Sequence, residues 1–235
     1  MSILKVENLS TGYGKKQVLF NVSFEVNKGD VVLVAGSNGS GKSTLLKAIY
    51  GLLPQWGDGR LVFDGEDITG KPTAALLKKG LLYIPQNNNL FEDLTVIENL
   101  EMAGLILNKK KFRDGLERVL SLFSILVSRL NRTPMTLSGG ERQLLTLAMA
   151  LLHQPKMILY DEPFAGLSPH NIDVIANSLK DLNEFFCTTL LLIEHRVKEC
   201  IVFADKLIGL KYGMVYNSIK LNENYDIQEF YSVFV

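Results

Sequence analysis

The run Val31-Val-Leu-Val-Ala35, followed directly by Gly36-Ser-Asn-Gly-Ser-Gly-Lys-Ser-Thr44, restricts the possible folds more than any other part of the chain. An apolar stretch with no polar break marks a strand buried on both faces, as in a parallel sheet covered by helices. The glycines behind it let the backbone turn tightly enough for its N–H groups to face inward around an anion. A helix opening there adds the positive end of its dipole. Gly36, Gly41, Lys42 and Ser43 match G-x-x-x-x-G-K-[ST]. The expected contacts with a nucleotide are Gly36, Ser37, Asn38, Gly39, Ser40, Gly41, Lys42, Ser43 and Thr44. Lys42 suits the β- and γ-phosphates, and the Ser43 hydroxyl suits Mg²⁺. A chance glycine-rich loop would have no reason to sit between a buried strand and a helix.

Further apolar runs at Leu81–Ile84, Met157–Tyr160 and Thr188–Ile193 predict more buried strands, with helical stretches between them. One helix is expected from Ser43. A second starts at Thr95, with a Thr-x-x-Glu capping box through Glu98. A third runs from Ser138 to His153. A fourth follows Ser168, a plausible N-cap, with Pro169 at its first position. Alternating strands and helices imply an α/β fold with a mostly parallel sheet. The alternating patterns of Ile3–Leu9 and Val18–Val26 predict antiparallel strands at one edge of it. Residues 88–136 carry helix signals but no strong buried strand, and are expected to form an inserted helical subdomain. The expected organisation is one domain over 1–235. Residues 1–87 and 137–235 form a P-loop NTPase (RecA-like) core with an N-terminal antiparallel β subdomain, and 88–136 form the helical insert, with a further helix beginning at 138.

Composition narrows the function classes. Lys+Arg and Asp+Glu both number 25, so no basic excess points to nucleic acid or a lipid surface. The cluster Lys109–Lys111 with Arg113 is expected to be a solvated helix face. Cys187 and Cys200 fit small buried residues in a reducing compartment rather than a disulfide framework. The first residues lack the apolar core of a signal peptide, and no apolar run approaches the ~18 residues needed to span a bilayer.

Two more motifs carry chemistry. Met157-Ile-Leu-Tyr-Asp-Glu-Pro163 places Asp161 at a strand end as the metal-side acid, with Glu162 next to it to orient and deprotonate an attacking water. Tyr160 in that strand needs a hydrogen-bond partner if buried. Leu137-Ser-Gly-Gly-Glu-Arg-Gln143 opens a helix with a Ser138–Glu141 capping box, yet spends two glycines in its first turn, at about 1 kcal/mol each relative to alanine. Such a terminus offers bare N–H groups to an anion, although the chain already has a better cradle.

With these three motifs in this order, the chain resembles the nucleotide-binding subunits of ATP-binding cassette (ABC) transporters over nearly its whole length. The resemblance implies ATP and Mg²⁺ as ligands and head-to-tail pairing with a second cassette, identical or not. Ser138, Gly139 and Gly140 would then contact ATP held by the partner cassette. It also implies that Tyr13 stacks on adenine, that Gln86 senses Mg²⁺ and the attacking water, and that His195 contacts the γ-phosphate; Lys42, Gln86, Glu162 and His195 are the expected catalytic set, and Ser43, Gln86 and Asp161 the metal set. His153 and His170 match no family position, and His153 is expected to close a helix near its negative pole. An integral-membrane permease would dock near Gln86–Glu98, holding the subunit on the cytoplasmic face of the membrane. Leu90 and Phe91 either line that docking groove or tuck into the subdomain's own core. Ser168 stands where most of the family has aspartate, which puts coupling between the two sites through this residue in question. "FAGLSP" and "LLIEH" are most similar to cassettes of branched-chain amino-acid importers and lipopolysaccharide-export systems. The competing function is a soluble ABC-type ATPase that works as an assembly factor without a permease. The C-terminal segment 225–235 is expected either to pack on the core or to contact another subunit.

Overall fold

The computed structural model describes residues 1–87 and 89–221, so the segment 225–235 lies outside the described residues. In chain order the first elements are β1 (Ser2–Tyr13), β2 (Lys16–Asn27), β3 (Val31–Ala35), α1 (Lys42–Ile49), β4 (Arg60–Phe63), β5 (Glu66–Asp67), α2 (Thr73–Lys79) and β6 (Leu81–Ile84). Then come α3 (Val96–Gly104), α4 (Lys109–Leu122), α5 (Gly139–Leu151), β7 (Met157–Asp161), α6 (Pro169–Phe186), β8 (Thr189–Ile193), α7 (Val197–Ile201), β9 (Lys206–Lys211) and β10 (Met214–Lys220).

The main sheet has six strands in the order β10-β9-β3-β8-β7-β6, all parallel except β10, which runs antiparallel to β9. Strands β3, β7 and β8 are buried at every residue. Their side chains alternate between two cores. Leu33, Ile158, Tyr160, Leu190 and Leu192 face helices α3 to α6, while Val32, Val34, Leu159, Leu191 and Ile193 face α1 and the N-terminal strands. Each such aliphatic side chain contributes about 1.5–3 kcal/mol, so the central strands are a rigid platform for the loops at their ends.

The antiparallel strands are not an edge of that sheet. They form a separate four-stranded sheet, β2-β1-β4-β5, layered on the main one. Strand β2 buries alternate residues only, so it needs a covering layer rather than a flanking strand. Between β6 and α5 the regular elements among the described residues are all helical: α3, α4 and 3₁₀ turns at Ser124–Arg129 and Pro134–Thr136. Val96, Leu100, Val119, Phe123 and Leu126 join the same core as Leu144, Leu147 and Leu151, so α5 connects these helices to the sheet. The capping box at Thr95 is formed in both directions, and Lys109–Lys111 and Arg113 are exposed.

Two local expectations need correction. Cys200 is buried, but Cys187, which ends α6 with a left-handed φ of 52°, is exposed. Ser168 has the extended backbone of a cap residue, yet its side chain makes no cap hydrogen bond and stays exposed. Of the two apolar loop residues, Leu90 packs against the core and Phe91 is 48% exposed.

Candidate functional site

Neighbouring parallel strands bring the candidate residues together. The loop 36–41 leaves the C-terminal end of β3, Glu194 and His195 follow β8, Asp161 and Glu162 stand at the end of β7, and Gln86 follows β6. In open α/β sheets, ligands bind outside the carboxyl ends of the strands.

The loop is shaped by positions that exclude side chains. Gly39 and Gly41 adopt φ of 78° and 104°, and Gly41 caps α1 with no side-chain hydrogen bond, which leaves the first-turn N–H groups to a ligand. A Cβ at Gly36 would come within 2.2 Å of Leu210 O, and one at Gly41 within 2.7 Å of Leu19 Cδ2. Ser37, Asn38 and Gly39 are exposed. Ser40 Oγ is buried without a hydrogen-bond partner, while Ser40 N donates to Ser37 O at 3.1 Å and Ser40 O accepts from Gly213 N at 3.0 Å. Lys42 Nζ donates to Gly36 O (2.9 Å) and Ser37 O (3.1 Å) across its own loop. Burial draws its ammonium below the usual lysine range, opposed by the charges of Glu162 and Asp161. Tyr13 is 47% exposed beside α1, with its hydroxyl 3.4 Å from Thr44 Oγ1.

Asp161 is 3% exposed and accepts from Ser43 Oγ at 3.1 Å and from the Tyr83 hydroxyl at 3.4 Å. Burial raises its pKa, and the Ser43 hydrogen bond works against the rise. No cluster of three or more His, Cys, Asp or Glu positioned for a metal exists among the described residues. A hydroxyl paired with a single carboxylate fits Mg²⁺, which keeps its waters and takes the rest of its shell from substrate phosphates.

Glu162 joins two of the other catalytic candidates, Gln86 and His195. Its Oε2 accepts from Gln86 Nε2 at 2.5 Å, and its Oε1 lies 3.0 Å from His195 Nε2. The chain reaches this point through a kink: Glu162 has φ of 51° and donates its N–H to Ile193 O at 2.9 Å. A left-handed non-glycine residue costs energy that the surrounding structure must supply, a pattern common at functional sites.

The motif at residues 137–143 forms no part of this cluster. The hydrogen bonds of Ser138 stay within its capping box, where Ser138 N donates to Glu141 Oε2 (2.8 Å) and Glu141 N to Ser138 Oγ (3.2 Å). Glu141 is held further by Arg129 at 2.8 Å. Gly140 is buried with no room for a Cβ, which would lie 2.7 Å from Asn171 Oδ1. Ser138 and Gly139 are exposed. Tyr160 does have its partner: its hydroxyl donates to Gln143 Oε1 at 2.5 Å, tying α5 to β7. His153 lies just past α5, and its ring is 2.9 Å from Ala103 O in α3, so it joins two helices.

Two residues at the site have no motif of their own. Glu194 is buried and accepts hydrogen bonds from the backbone N–H groups of Phe164, His195 and Arg196. Its signal in the sequence is an acid directly after a fully buried, mostly aliphatic strand. Asn99 is fully buried, accepts from Phe91 N at 2.8 Å, and donates to the carbonyls of Phe91, Leu94 and Thr95. It holds the loop that displays Phe91.

Comparison with known proteins agrees with this geometry. A family profile described as "ABC transporter" matches residues 19–165. The chain is 37% identical to the high-affinity branched-chain amino acid transport ATP-binding protein BraG of Pseudomonas aeruginosa, over 91% of each chain. It is 38% identical to the lipopolysaccharide export system ATP-binding protein LptB of Haemophilus influenzae, over 92% of this chain and 89% of the relative. Among solved structures it is similar to a nucleotide-free ATP-binding cassette from an ABC transporter, with a TM-score of 0.88, 32% identity, and 99% of this chain and 96% of that one covered. It is also similar to a cassette dimer in a post-hydrolysis state with ADP and Pi, with a TM-score of 0.80, 28% identity, and 93% of this chain and 99% of that one covered.

Proposed function

This chain belongs to the ABC transporter family of ATP-binding cassettes, and from that premise we propose how its residues divide the work. The protein is the ATP-hydrolysing subunit of a transporter whose permease is a separate membrane component. No helix among the described residues is long and apolar enough to cross a membrane.

The loop N–H groups and Lys42 hold the phosphates, and Tyr13 stacks on the adenine. Ser43, Gln86 and Asp161 would hold Mg²⁺, Asp161 through water, and the ion would supply neutralisation of the charge on the phosphate oxygens. Glu162 accepts a proton from the water that attacks the γ-phosphorus, as the bond to the ADP oxygen breaks. Gln86 and His195 hold the Glu162 carboxylate from either side, and His195 is also within reach of the γ-phosphate. Ser138, Gly139 and Gly140 serve a nucleotide bound to a second cassette. The observation that carries this reading is the convergence of Gln86, Glu162 and His195 within hydrogen-bond distance at the ends of three strands.

Chelating Mg²⁺ should stop phosphate release, and adding it back should restore the rate. Asp161→Asn should raise the Mg²⁺ concentration for half-maximal rate about 10–100-fold, the scale of losing a metal-orienting group. An unchanged Mg²⁺ requirement would remove Asp161 from the site.

The permease docks on the cytoplasmic face along residues 86–98, with Phe91 as an anchor presented by Asn99. Relatives at similar identity serve branched-chain amino acid transport and lipopolysaccharide export. That breadth suits a motor whose own side chains do not meet the transported solute. Phe91→Asp should abolish co-purification with the permease while leaving the basal ATPase rate of the isolated subunit intact. Retained co-purification would place the contact elsewhere.

A further inference from the structure

The carboxylate of Glu194 is left without a function by the roles assigned above. It directly follows β8, a strand built from aliphatic residues and threonine, and is 3% exposed. A buried carboxylate is expensive unless hydrogen bonds hold its charge. This one accepts three. Oε1 takes the Phe164 N–H at 2.8 Å, and Oε2 takes the N–H groups of His195 at 2.8 Å and Arg196 at 3.0 Å. Burial raises its pKa, and these N–H groups oppose the rise.

The two segments it joins are those that carry the reacting pair. Phe164 follows Glu162 by two residues, and the His195 ring lies 3.0 Å from Glu162 Oε1. Two bridges therefore connect the segments: the side-chain pair Glu162–His195 facing the nucleotide, and Glu194 beneath it holding both backbones. The Glu162 N–H to Ile193 O bond closes the same link from the other strand.

We propose that Glu194 is a positioning residue for ATP hydrolysis, and that its two-faced acceptor keeps the segment after Glu162 in register with His195. This rests on the roles given above to Glu162 and His195. The carboxylate is needed because every donor around it is an N–H. A glutamine of the same shape has one acceptor oxygen and one donor nitrogen, so it can satisfy one segment and repels the other.

Glu194→Gln should lower kcat about 10–100-fold, the scale of a small misplacement of reacting groups, with ATP affinity unchanged and the protein folded. In a His195→Ala background the same substitution should cost little further, because the route it acts through is gone. Equal fold-losses in both backgrounds would mean independent effects and would overturn the proposal, as would a wild-type kcat. Glu194→Asp is measured beside it; if neither variant folds, the residue serves folding and the proposal is wrong. Glu162→Gln is assayed in parallel. Normal turnover there refutes the catalytic reading itself, whereas an inactive Glu162→Gln beside a fully active Glu194→Gln refutes the positioning role alone.

Discussion

Glu162→Gln should still bind ATP but hydrolyse it about 10²–10⁴-fold more slowly, the usual cost of removing a general base. The substitution preserves shape and the Gln86 contact distance while removing the proton acceptor. Glu162 is already held from both sides, at 2.5 Å by Gln86 and 3.0 Å by His195, so an amide should sit in the same place. The phosphate cradle is built from residues 36–44 and is not touched by the change. The variant should therefore fill with ATP and stop, and the closed two-cassette state should accumulate and be visible as a dimer by size-exclusion chromatography. Normal phosphate release from this variant would remove Glu162 from the mechanism.

The second large effect is expected at the N-terminus of α5. Ser138 is exposed, so Ser138→Arg can be accommodated by the single chain. It loses the bond that Glu141 N donates to Ser138 Oγ, worth about 1 kcal/mol as a helix cap. The monomer should stay folded and bind ATP with unchanged affinity, because no part of the cradle is altered. Dimer closure should fail, since a long cation then occupies the helix terminus that has to meet the partner's nucleotide. Hydrolysis should fall with it. A Ser138→Arg monomer that hydrolyses ATP at the full rate would show that one cassette is sufficient.

The central strands were legible in the sequence for a physical reason. Strands β3, β6, β7 and β8 are buried in a covered parallel sheet, and such strands are written as unbroken apolar runs. The caps at Thr95 and Ser138 were legible because a capping box is local, spanning four residues. The hairpin β9–β10 was not, since Gly209 interrupts one strand and the other alternates exposed with half-buried residues. Strands β4 and β5 are short, and are held by pairing, β4 with β1 and β5 with β4, rather than by their own pattern.

The site divides along the same line. The phosphate loop is contiguous and could be recognised from its residues. The meeting of Gln86, Glu162 and His195 spans more than a hundred residues of chain, and only the family resemblance suggested it before the strand order placed them side by side. The roles of Glu194 and Asn99 were not legible because their partners are backbone groups, which leave no mark in a sequence, although an acid directly after a buried strand marks the position of Glu194. Tyr160 announced its need for a partner, but only the packing of α5 on β7 supplies Gln143.

The most direct test is the structure of Glu162→Gln bound to ATP and Mg²⁺. Two chains should be found around each nucleotide, with the γ-phosphate cradled by the Lys42 loop of one and met by Ser138, Gly139 and Gly140 of the other. A terminal phosphate wholly enclosed by a single chain would contradict the account.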